Sequence, residues 1–81
     1  MKVSVRLFAV ARQLAARETV EVEVSPDATI GQLRARLAAE IPDLAPVLPH
    51  VLFAIGSQYA GDDQPIPADT PIACIPPVSG G

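Results

Sequence analysis

Eighty-one residues, nearly half of them apolar, are enough for one small core and no second domain. No apolar run is long enough to span a bilayer, and the opening Met1-Lys2-Val3-Ser4-Val5-Arg6 carries charge without a cleavage site, so no membrane partner, no signal peptide and a cytoplasmic location are expected. The net charge is −3 and uneven: every base lies between Lys2 and Arg36, while Glu40, Asp43, Asp62, Asp63 and Asp69 follow with no base among them, which suits a basic protein surface and excludes a nucleic-acid partner.

Lys2 to Val10 reads as a strand in which Val3, Val5 and Leu7 face the core and Phe8 shares the other face with Arg6. Arg12 to Thr19 reads as a link, with Leu14 tucked under the sheet. Thr19 to Val24 is a second strand that pairs with the first as a hairpin. After the turn Ser25-Pro26-Asp27-Ala28, the run Thr29-Ile30-Gly31-Gln32 is a capping box that starts a helix. Ile30, Leu33, Leu37 and Ile41 form one apolar stripe along it, and Pro42 stops it.

Pro42 to His50 is a proline-rich loop, and the lone His50 belongs to it rather than to a metal site. Val51 to Ile55 is apolar almost throughout and reads as a central strand buried on both faces. Gly56-Ser57 turns the chain into a short edge strand, Gln58 to Ala60, with Tyr59 partly exposed. Gly61 to Thr70 is polar and turn-rich, anchored by Ile66. Pro71 to Pro76 carries the last strand, with Ile72, Cys74 and Ile75. A single cysteine forms no internal disulfide, and inside a strand it reads as a buried, inert thiol.

With the first and last strands adjacent in mid-sheet, this order gives an α+β fold of β-grasp type: one main helix against a mixed sheet of four or five strands, over residues 1–75. Residues 76–81 form an extended tail ending in Gly-Gly. Pro76 and Pro77 stiffen its root, because each ring fixes φ and lacks a donor. Gly80 and Gly81 carry no side chain, so the end is thin enough for a narrow channel, and its one reactive group there is the carboxylate of Gly81.

Phe8-Ala9, Ala11-Arg12-Gln13-Leu14, Thr29-Ile30 with Leu33, and the ending Pro76-Pro77-Val78-Ser79-Gly80-Gly81 together resemble the small subunit of molybdopterin synthase, within the ubiquitin-like sulfur carriers. The resemblance covers the whole chain. It implies a sulfur relay. An ATP-dependent adenylyltransferase of the ubiquitin-activating type adenylates the Gly81 carboxylate, and sulfur displaces AMP to leave 1-thioglycine at the terminus. Val78, Ser79, Gly80 and Pro77 then thread the tail into the large subunit, within a heterotetramer of two small and two large subunits. The thiocarboxylate gives its sulfur to cyclic pyranopterin monophosphate in molybdenum cofactor synthesis. No cofactor is bound and no metal is held, and the chain has no active site of its own. Activation is needed because a carboxylate is a poor electrophile, and the small subunit contributes positioning.

The resemblance also implies that Phe8, Arg12, Tyr59, Ile75 and Pro76 meet the large subunit. Two departures stand out: Ile55-Gly56 where the family commonly has Val-Asn, and Cys74-Ile75 where it often has an aromatic pair. The residues leave other readings open. One is a carrier for thiamine (thiazole) or cysteine synthesis. Another is a ubiquitin-like modifier, limited to a single linkage by having Lys2 as its only lysine. The last is an interaction domain with an inert tail.

Overall fold

The computed structural model describes residues 1–77. The expectations for Val78, Ser79, Gly80 and Gly81 lie outside the described residues. Five strands, β1 (Lys2–Leu7), β2 (Thr19–Glu23), β3 (Leu52–Ile55), β4 (Gln58–Ala60) and β5 (Ile72–Ile75), form one sheet in the order β2-β1-β5-β3-β4. β1 and β5 lie side by side, as expected from the sequence, and run parallel, and the other pairs are antiparallel. Strict alternation in β1 sends Val3, Val5 and Leu7 to one face, where they meet Val20, Val22, Ile72, Cys74 and Phe53. Helix α2 (Ile30–Glu40) covers that face with Ile30, Leu33 and Leu37, all fully buried. Each such side chain contributes about 1.5–3 kcal/mol on leaving water.

The start of α2 has a partner for each of its amides. The Thr29 amide donates to Gln32 Oε1 at 2.9 Å and the Gln32 amide to Thr29 Oγ1 at 3.3 Å, completing the capping box. The Ile30 and Gly31 amides donate to the carbonyls of Gln64 and Asp62 at 3.0 and 2.8 Å. The polar segment between β4 and β5 thus lies directly on the helix N-terminus. Gly31 eases that approach, since a Cβ there would lie a tight 3.2 Å from both the Cβ and the carbonyl oxygen of Asp62.

Arg34 ties three segments together from the middle of α2. Nη1 donates to the carbonyls of Leu48 and Val51, the latter at 3.0 Å, and Nη2 to Asp62 Oδ1 at 2.8 Å. Its guanidinium carbon stands 5.0 Å from the centre of the Phe53 ring. Residues 42–50, read from the sequence as a loop, hold two 3₁₀ turns (Pro42–Leu44 and Leu48–His50) that send Leu44 and Leu48 into the core.

Three elements differ from the sequence reading. The first strand ends at Leu7, not Val10, because Ala9 turns to φ 52 and a short helix α1 (Ala9–Ala15) begins. That helix packs through Ala11, fully buried, while Leu14 stays exposed rather than tucking under the sheet. A small residue at the contact lets the helix lie close and leaves the longer side chain outside. β3 is not central: it lies one strand in from the β4 edge, and Leu52 is exposed. Its apolar run reflects an apolar outer face as well as the core.

Candidate functional site

The face of the sheet away from α2 carries a row in register across all five strands: Thr19, Arg6, Ala73, Ala54 and Tyr59. The next row pairs Ile75 with Leu52, and the Phe8 amide donates to the Cys74 carbonyl at 3.2 Å, which sets Phe8 beside Ile75. The two alanines make a low floor. Around it stand Leu52, 52% exposed, Tyr59, 68% exposed, and Phe8, 40% exposed. The Arg6 guanidinium lies 5.8 Å from the centre of the Phe8 ring, placing a cation at the edge of this apolar area. Towards β2 the face turns polar, with Ser4 opposite Glu21.

Phe8, Tyr59 and Ile75, expected at a partner contact, therefore come together on one face. Arg12 lies in α1, one turn beyond Phe8, and its Nη1 is 3.3 Å from Glu18 Oε1 in a solvent-exposed ion pair that holds it only weakly. Pro76 is buried and Pro77 exposed. Leu52 is the member of the face that sequence reasoning missed. The signal was present in its alternation with Phe53, but an unbroken apolar run hid which side faced out.

The two departures in sequence have local explanations. Gly56 sits at φ 62 in the two-residue turn between β3 and β4, a region that glycine and asparagine both enter readily. Cys74 points into the core and pairs in register with Phe53, so the aromatic bulk at this level comes from β3 instead of β5. Burial pushes the Cys74 thiol up to about 11, against a small opposing effect from Arg34. A thiol held protonated in this way is unreactive near neutral pH.

The fold and the chain's length are shared with solved structures of small carriers. SAMP1 from Haloferax volcanii is 29% identical over the whole of both chains, with a TM-score of 0.87. The complex of subunits 1 and 2 of molybdopterin-converting factor from Helicobacter pylori contains a chain 26% identical over the whole of both chains, with a TM-score of 0.68. A putative molybdopterin converting factor subunit 1 from Pyrococcus furiosus is 23% identical, covering 96% of this chain and 99% of that one, with a TM-score of 0.83, and shares its fold. The ThiS family model matches residues 5–81, including the whole terminal motif, and this chain belongs to the ThiS family of ubiquitin-like sulfur carriers.

Proposed function

We propose that the protein is the sulfur-carrying small subunit of a molybdopterin synthase, with Gly81 as the group that is adenylated, converted to a thiocarboxylate and emptied on cyclic pyranopterin monophosphate. The observation that carries this reading is the position of the apolar face. Phe8, Leu52 and Ile75 lie beside Pro76, the last buried residue among those described, and Tyr59 extends the same surface to the sheet edge. A partner seated there lies next to the residue from which the terminal segment continues. Burying such a face, with Arg6 at its edge, is an ordinary way to hold a partner. The ending Pro76-Pro77-Val78-Ser79-Gly80-Gly81 and the likeness to a chain solved in complex with subunit 2 of a molybdopterin-converting factor support a large synthase subunit as that partner. ATP is consumed on the activating enzyme, and this chain contributes its scaffold, its docking face and its terminal carbonyl.

The test is reconstitution. Protein carrying the Gly81 thiocarboxylate, confirmed by intact mass, is mixed with a molybdopterin synthase large subunit and cyclic pyranopterin monophosphate. Molybdopterin formation is expected, and deletion of Gly81 abolishes it without changing the thermal midpoint. Sulfur delivery to a thiazole or cysteine synthase instead, with none to the pterin, replaces this reading by one of the other carriers. A second reading, conjugation to protein amines, is favoured by the likeness to the Haloferax volcanii chain described as a small archaeal modifier protein.

A further inference from the structure

The chain has one lysine, Lys2, at the first position of β1. Its side chain is on the open face of the sheet and exposed, in a shallow cleft lined also by Ser4, Glu21, Asp69, Thr70 and Pro71. It takes part in none of the ion pairs among the described residues. The other primary amine is engaged. The Met1 ammonium is partly buried, donates to the Val24 carbonyl at 2.9 Å and pairs with Glu23 Oε2 at 2.9 Å, and this contact holds the Glu23 carboxyl below its usual range.

We infer that Lys2 is an acceptor site for the activated Gly81 carbonyl of a second copy, giving a single type of isopeptide linkage between copies. This rests on the reading of Gly81 as an adenylated terminus. The step balances: Lys2 Nζ attacks the acyl-adenylate carbonyl, a C–N bond forms, the C–O bond to AMP breaks, and AMP leaves with the electron pair. The Glu21 and Asp69 carboxylates lining the cleft, or water, take the proton.

Geometry decides between linkage within one chain and between two. Leu7 is level with Cys74, so Lys2 lies about 17 Å back along β1 from that level, while Pro77 lies about 10 Å beyond it. Residues 78–81 span at most about 14 Å when fully extended. A chain's own Lys2 is therefore out of reach. Because the acceptor and the tail root sit at opposite ends of the β1–β5 pair, successive copies join head to tail.

The experiment incubates the protein with its cognate adenylylating enzyme, magnesium and ATP, under thiol and denaturant quenching, and reads intact mass and tryptic fragments. A species of twice the mass less one water is expected. Since no basic residue follows Arg36, the linked copy leaves the fragment Leu37 to Gly81 on Lys2. Lys2→Arg abolishes that species while adenylation of Gly81 continues unchanged. A linked species that survives Lys2→Arg overturns the assignment, as does a wild-type protein that is adenylated without forming it. Absence of adenylation removes both this inference and the carrier reading beneath it.

Discussion

Phe53 and Cys74 face each other in register across β3 and β5, and both are fully buried. One is the largest side chain in the core, the other among the smallest. Paired positions of this type share a fixed volume, because protein interiors are packed to the density of organic crystals.

Cys74→Phe on its own therefore overpacks the site. The expected loss is about 1–3 kcal/mol of unfolding free energy. Phe53→Ala on its own leaves a cavity and costs about 3–5 kcal/mol. The double variant refills the same space from the other strand, so its loss is smaller than the sum of the two. Urea denaturation of the four proteins measures the coupling, and simple additivity would show that the two positions do not share volume.

The raised thiol of Cys74 sets a pH dependence. In the unfolded chain it ionises near its ordinary value of 9.0, whereas the folded chain holds its proton up to about 11. Its contribution to stability is thus complete below pH 9 and lost as pH rises from 9 towards 11. Cys74→Ala, compared with wild type at pH 8 and at pH 10.5, removes that part of the decline. At pH 8, a thiol reagent modifies the native protein only at the rate of opening.

Arg34 holds two carbonyls, a carboxylate and an aromatic face with one planar group. Arg34→Met takes from the Val51 carbonyl its side-chain donor and leaves the Leu48 carbonyl only the Val51 amide, and costs about 1–3 kcal/mol. Arg34→Lys recovers only part of this, since an ammonium cannot reproduce the fork. Thr29→Ala, which removes the cap at the start of the same helix, costs about 1 kcal/mol. Thermal melts of the three variants check the ranking.

Leu52→Asp places a charge on the proposed docking face, on a side chain that is already half in water. The dissociation constant for the large synthase subunit is expected to rise at least about tenfold, roughly 1.4 kcal/mol. Phe8→Asp acts in the same direction. Stability changes little in either case, since both residues are exposed. Ala39→Asp, exposed on α2 on the other side of the sheet, leaves affinity unchanged. Titration calorimetry separates these outcomes, and an unaffected Leu52→Asp affinity removes this face from the contact.

Much of this molecule was legible from local signals in the chain. The capping box at Thr29, the stripe from Ile30 to Leu37, the alternation in β1 and β2, the anchoring Ile66 and the inward Cys74 each follow from periodicity or from one residue's chemistry, and each stands where expected. The terminal Pro-Pro-Val-Ser-Gly-Gly is likewise a property of the sequence alone. Tertiary structure decided the rest. Helix α1 depends on Ala9 taking a left-handed φ that no glycine announces, and on a close fit of Ala11 that only packing reveals. The position of β3 near an edge, and with it the exposure of Leu52, is set by strand order, which an apolar run cannot encode. Arg34 reads as one more polar residue on a helix until residues 14, 17 and 28 positions away come within reach of its guanidinium. Local periodicity states which face of an element is apolar, but only the assembled sheet determines whether that face meets the core or a partner.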